Sequence, residues 1–188
     1  MLILGLDVST ACTGWAIIDE SGDFVDIGSI ELSKEPGLYS KASYVRSALN
    51  DVLIRHPVNQ VYIEENLQSF RRGFSSAQTL STLARFNGIV SLISYEVFSV
   101  EPVHINVNAA RKSLGIKLIS KKKGGEPTKQ QVMNWVSSKL EDTSLEWPIK
   151  ILKSGPRKGQ SILDPSCYDM ADAYVIAKAG QISAHSNG

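Results

Sequence analysis

The chain has 188 residues, of which 43% are hydrophobic and 21% charged, and its formal net charge is +1. That length supports one domain with a full hydrophobic core and is short for two lobes. No apolar run approaches the roughly 20 residues that cross a bilayer, and Asp7 breaks the N-terminal apolar segment where a secretion signal would need it unbroken. A cytoplasmic location without membrane association is therefore expected. Cys12, Cys167 and three scattered histidines give neither a zinc-ligand spacing nor a disulfide framework.

Taken in chain order, "LILGLDV" reads as a strand buried on both sides, and "GWAIID" and "FVDIGSIEL" as two more, with "DESGD" as the turn of a hairpin. Leu38, Ala42, Val45, Leu49, Val52 and Leu53 recur at helical spacing before Pro57. "QVYIEEN" is a short strand ending in Glu64 and Glu65. Ser76 can cap a helix running to about Val97, whose apolar residues cover more than one face, so it must be buried on two sides, either within the fold or against a partner subunit. "VHINV" is a fifth strand, and Asn108 can cap the short helix "AARKSLG". The basic stretch "IKLISKKKGGEP" reads as a mobile loop and "TKQQVMNWVSSKLE" as a helix. Residues 142–163 read as irregular. Asp164 and Pro165 open a last helix ending near Gly180, with 181–188 as a frayed tail. Residues 1–180 then form a single α/β domain around one mixed sheet.

Basic residues are clustered. Between Val103 and Gln130 stand Arg111, Lys112, Lys117, Lys121, Lys122, Lys123 and Lys129 against Glu126 alone; Lys150, Lys153, Arg157 and Lys158 form a second cluster and Arg71 and Arg72 a third. A lysine run is usually a solvated loop, but three clusters in a nearly neutral protein point to a polyanionic partner.

Four carboxylates stand where ordinary burial does not account for them. Asp7 interrupts the most apolar strand, Glu64 ends another, and Asp169 and Asp172 are three residues apart, hence on one face of the last helix. Taken singly, Asp169 suits the helix dipole and Glu64 a wet strand end. Together they form an oxygen-only ligand set suited to magnesium, and two such ions about 3.5–4 Å apart can clamp a phosphodiester during in-line attack by water. Alternation from Tyr62 sends Glu64 and Glu65 to opposite faces; Glu64 is preferred, although sequence does not say which face Asp7 shares.

With "LGLDVSTACTGWAIID", "YIEEN" and "DMADAYVIA" in this order, the chain resembles the RuvC-type Holliday junction resolvases of the RNase H-like superfamily, especially their bacteriophage branch. "LARFNGIVSLI" is similar to the family's dimer-forming helix and "AARKSLGI...PTKQQV" to its short basic stretch and following helix. The resemblance implies an RNase H-like fold, with a five-stranded mixed sheet and helices on both faces. It also implies a homodimer through helix 76–97 that cuts four-way and other branched DNA in paired symmetric nicks, leaving 5′ phosphates, with two magnesium (or manganese) ions per site. Asp7, Glu64, Asp169 and Asp172 would be the metal-binding catalytic carboxylates. Ser9, Thr10 and Thr13 would lie near the scissile phosphate, and Lys112 and Lys129 would contact DNA, joined by Arg71, Arg72, Lys121, Lys122 and Lys123. An aromatic is expected soon after the glutamate; Leu67 stands there instead and Phe70 and Phe74 follow, so Phe70 is a stacking candidate with packing under a loop as the alternative.

"GLDVSTACTGWAI" also resembles the phosphate loop of actin-like ATPases, sugar kinases and threonylcarbamoyl-transfer proteins. Those need a second lobe or a second glycine-rich loop, and the Asp169–Asp172 pair sits badly beside a triphosphate without metals.

Overall fold

The computed structural model describes residues 1–65 and 77–186. Strand β1 (Leu2–Val8) pairs antiparallel with β2 (Cys12–Asp19), and β2 with β3 (Phe24–Glu31), as the apolar runs and the turn between them predict. Asp19 closes that turn: its carboxylate accepts from the Asp23 amide at 2.8 Å. Helix α1 (Leu38–Arg55) returns the chain to β4 (Val58–Glu64), parallel to β1; α2 (Ala77–Phe98) precedes β5 (Val103–Ile105), parallel to β4. The five-stranded sheet therefore has the mixed order β3-β2-β1-β4-β5. Then follow α3 (Val107–Ser113), α4 (Thr128–Lys139), a two-stranded hairpin of β6 (Ile149–Ile151) and β7 (Ser161–Leu163), and α5 (Ser166–Ser186).

Alternation along the strands divides the core into two layers. Ile3, Ala16, Ile18 and Tyr62 pack with α4 and α5 residues such as Val132, Val136, Ala173 and Ile176. Leu4, Leu6, Trp15, Ile17 and Ile63 pack with Val45, Leu49, Phe86 and Val90 of α1 and α2. Each fully buried Leu or Ile contributes about 1.5–3 kcal/mol relative to exposure. Coverage on both faces explains why β1 and β2 read as continuous apolar runs. Helix α5 rests directly on strand backbone: a Cβ on Gly5 would stand 2.3 Å from the Ala173 carbonyl oxygen, and one on Gly14 2.1 Å from that of Asp169. The two glycines bring the start of α5 down over the ends of β1 and β2.

Several local expectations are corrected. Asn106, not Asn108, caps α3, accepting from the amides of Asn108 (3.0 Å) and Ala109 (3.3 Å). The basic loop is fastened rather than mobile: the Gln131 amide group bonds to Ile119 N and O, both at 2.8 Å, and to Glu126 O, and Lys121–Lys123 form a 3-10 turn. Residues 142–163 hold the β6–β7 hairpin; its strands are three residues long and mostly solvent-facing, so they carry no periodic signal. Asp164 accepts from the Ser166 amide at 2.9 Å, so α5 opens after Pro165, and it continues past Gly180 to Ser186. The continuation is tied to the β2–β3 turn by Lys178 Nζ donating to Gly22 O and Gln181 Nε2 to Glu20 O, each at 2.9 Å. Ser76, the expected cap of α2, lies outside the described residues. Among the described residues no helix is long and apolar enough to cross a membrane.

Candidate active site

Register assembles the acids. Leu6 of β1 lies opposite Ile63 of β4 in the parallel pair, so the next residues, Asp7 and Glu64, leave the sheet side by side, on the face that α5 covers. Across the antiparallel pair Asp7 faces Gly14, the glycine over which the Asp169 backbone rests. Asp172, nearly a turn further along α5, is buried at 5% exposure. The four acids thus come from β1, β4 and α5 at the C-terminal ends of the parallel strands, where open α/β sheets bind ligands. Glu65 turns away, and its carboxylate accepts from Asn106 Nδ2 at 3.5 Å. The choice between the two glutamates, open in the sequence, falls on Glu64.

Burial dominates the electrostatics. Asp7, half-buried as a residue, carries its carboxyl group inward; desolvation and then the charges of Glu64 and Asp172 hold it well above the usual carboxylate range. Asp7 and Glu64 are hydrogen-bonded to each other, and Glu64 too is raised, chiefly by burial. Asp169 is raised by burial despite the opposing effects of Lys129 and the Cys12 thiol. Burial and then Asp169 push the Cys12 thiol up, which keeps it protonated, a donor to Asp169 rather than a nucleophile. Burial likewise raises Cys167 to about 11.

Two cations answer the acids. Arg111 of α3 donates from Nη2 to Asp172 Oδ1 at 2.8 Å, with side-chain exposures of 14% and 7%. Lys129 of α4 donates from Nζ to Asp169 Oδ1 at 3.3 Å; burial works to lower its pKa, but Asp169 and Asp7 outweigh this and raise it. In the sequence Arg111 is only one member of a basic cluster. Its partnership depends on α3 packing against α5, which no local pattern announces.

Four carboxylates against two cations leave an excess of buried negative charge on oxygen donors, which fits a hard divalent cation. Among the described residues, no three His, Cys, Asp or Glu side chains already stand as the ligand shell of an ion; Arg111 and Lys129 occupy the outer pair instead. The donor chemistry fits, and Asp7, Glu64, Asp169 and Asp172 are the residues that would hold the metal.

The predicted phosphate neighbours fare less well. Ser9 is spent on the β1–β2 turn: its hydroxyl donates to Cys12 O at 2.7 Å and accepts from the amides of Ala11 and Cys12. Thr13 is completely buried and its hydroxyl has no hydrogen-bond partner among the described residues. Position 13 alternates onto the face of Trp15 and Ile17, which α1 and α2 cover, opposite the face on which α5 meets Asp7. Thr10 is half-exposed beside the site, and its carbonyl accepts from Lys41. Lys112, Lys121, Lys122 and Lys123 are all exposed. Phe70, Arg71 and Arg72, with Leu67 and Phe74, lie outside the described residues.

No protein-family model matches the chain. Thermus thermophilus RuvC bound to a Holliday junction substrate superposes with a TM-score of 0.66 at 18% identity, covering 99% of this chain and 96% of that one. The fold is that of RuvC. A second Thermus thermophilus RuvC structure gives 0.63 at 19% identity, and the yeast mitochondrial Holliday junction resolvase Ydc2 gives 0.54 at 14% identity over 98% of this chain and 81% of the other. The RNase H-like architecture expected from the sequence is thereby established. In sequence, the crossover junction endodeoxyribonuclease RuvC of Rickettsia bellii is 24% identical over 96 residues, 46% of this chain. That match spans 61% of the Rickettsia protein, under two thirds of its length.

Proposed function

We propose that this chain is a divalent-metal-dependent endonuclease that resolves four-way junctions, and acts on other branched DNA, as a homodimer in the cytoplasm of a bacterial or phage-infected cell. The observation that carries the reading is the meeting of Asp7, Glu64, Asp169 and Asp172 at the strand ends of a RuvC fold. Bound divalent ions, two per site, would supply activation of the attacking water and stabilisation of the leaving 3′ oxygen, giving 5′-phosphate ends without a covalent intermediate.

The chain's own residues do the positioning. Asp7, Glu64, Asp169 and Asp172 would hold the ions, and Lys129 and Arg111, which pair with Asp169 and Asp172, stand beside them where a phosphodiester would lie. Lys112 and the Lys121–Lys123 turn hold flanking phosphates, making affinity salt-dependent and blind to sequence. A junction offers two strands of like polarity, which a two-fold dimer matches. Helix α2 supports that arrangement: Phe86, Val90 and Ile93 bury one face in the fold, while Gly88, Leu92 and Tyr95 lie exposed on the other.

The test is a labelled mobile four-way junction incubated with wild type, Asp7→Asn and Asp169→Asn in magnesium or calcium. Paired symmetric nicks are expected from wild type in magnesium, with binding but no cutting by either variant. Intact junctions, forks and flaps in both magnesium and manganese would overturn the reading.

A further inference from the structure

The β6–β7 hairpin has no part in the site described above, yet it is a built element. Ile149 pairs with Leu163, Lys150 with Ile162 and Ile151 with Ser161. Beyond the strands the ribbon is closed by Leu152 N to Gln160 O at 3.0 Å and Gly159 N to Leu152 O at 2.8 Å. Its tip turns through Gly155 and Gly159, at φ 78° and 87°, a conformation that favours glycine. The base is fixed to the start of α5: Pro148 O accepts from Asp164 N at 2.8 Å and from Cys167 Sγ at 3.4 Å. Cys167 is two residues from Asp169, so the ribbon springs from the edge of the carboxylate site.

Its surface is unusual in two respects. Lys150, Lys153, Arg157 and Lys158 are all exposed, and residues 149–163 contain no acid. One face also presents Ile149 at 69% exposure, Ile151 at 61% and Leu163 at 36%. A two-stranded ribbon is marginal alone, and an apolar face of this kind calls for a cover. Lys150 lies near Asp164 at the base, but the ribbon's remaining positive charge selects a polyanion as that cover, and the major groove of duplex DNA, about 12 Å wide, admits a two-stranded ribbon between two rows of phosphates.

We propose that the β6–β7 hairpin is a DNA-contacting arm that grips one duplex arm beside the cleavage site, with Lys150, Lys153, Arg157 and Lys158 on phosphates and Ile149 and Ile151 against the groove. This rests on the nucleic-acid reading of the acidic site and adds to it a second, separable surface.

The experiment uses the full chain with all four basic residues changed to Gln. Affinity for a fluorescent four-way junction and for a linear duplex is measured in calcium between 50 and 200 mM salt. The slope of log K against log salt should fall by about 3 to 4, and affinity at 100 mM salt by more than about tenfold. Thermal unfolding should be unchanged, because the four side chains are exposed. Ile149→Ser with Ile151→Ser should weaken binding and leave the salt slope as it was. Wild-type affinity and slope in the Gln variant overturn the proposal. So does a fall in sedimenting mass of the Ile variant alongside unaltered DNA binding, which would mark the ribbon as a contact between copies of this chain. Wild type that binds DNA but never cuts it overturns the endonuclease reading while this comparison still stands; wild type that binds no DNA overturns both.

Discussion

Gly14→Ala is the sharpest test of how the site is built, because one methyl group challenges both the packing and the chemistry. The added Cβ would sit 2.1 Å from the Asp169 carbonyl oxygen and 2.7 Å from the Met170 amide, where ordinary contact begins at 3.4 Å. Both obstacles are backbone, so no rotamer change relieves them; the start of α5 has to rise by more than about 1 Å. Overpacking of this kind costs about 1–3 kcal/mol. The same displacement moves Asp169 away from Asp7, and a misplacement of about 1 Å can cost on the order of 100-fold in rate. The expected outcome is a lower urea midpoint with an unchanged slope, and junction cleavage reduced further than the lost stability explains when assayed where the variant is fully folded. Gly37→Ala is the control, since nothing lies within 4 Å of a Cβ there. If Gly14→Ala keeps the wild-type midpoint and cleavage rate, α5 does not rest on β2 at this point and the proposed meeting of Asp7 with Asp169 fails.

Two further outcomes follow from the charges. In chelator, apo-protein stability should rise as pH falls from 7.5 towards 5. Asp7, Glu64 and Asp169 hold protons more tightly folded than unfolded, so that stability is fully present below the ordinary carboxylate range and is lost as pH rises through the raised folded values. Asp7→Asn should flatten this dependence and stabilise the apo-protein at pH 7.5, by about 1.4 kcal/mol for each unit removed; urea unfolding at both pH values checks it. Arg111→Met should destabilise by about 3 kcal/mol, because it leaves Asp172 buried and uncompensated, and the double variant with Asp172→Asn should recover most of the loss in a double-mutant cycle.

What the sequence disclosed is what violated a local rule. An aspartate inside "LILGLDV" is anomalous whatever it touches, and a helical Asp-x-x-Asp pair fixes a shared face without tertiary knowledge. The two-sided apolar strands announced a covered sheet for the same reason. What stayed hidden concerns side chains whose surroundings depend on partners distant in sequence. The family resemblance puts the Thr13 hydroxyl near the scissile phosphate, and alternation along β2 buries that side chain completely. Ser9 had a hydroxyl in the right neighbourhood and spends it on its own turn. Arg111 shared the local appearance of Lys112, and only the packing of α3 on α5 sets them apart, one paired with Asp172 and the other exposed. Glu64 lay between these cases: its face was legible, but the face of Asp7 required the register of β1 with β4.

The basic loop supplies the last test, because its order bears on how an almost neutral protein can hold a polyanion. With a net charge of +1, attraction must come from where the cations are held. Gln131 on α4 clasps Ile119 and Glu126, and so fixes the Lys121–Lys123 turn to the helix that carries Lys129. Gln131→Ala removes three hydrogen bonds at a half-exposed position, so water replaces them and the cost to global stability stays near about 1 kcal/mol. The cost to binding is different in kind: freed from the clasp, the turn must be ordered again each time DNA arrives, at about 1–2 kcal/mol per backbone residue fixed. The variant should therefore show faster amide exchange confined to residues near 119–126 and junction affinity lowered by about tenfold or more. Its salt slope should match wild type, since no charge has been removed. Equal loss of slope and affinity would mean that Gln131 acts on the number of phosphate contacts rather than on their preorganisation.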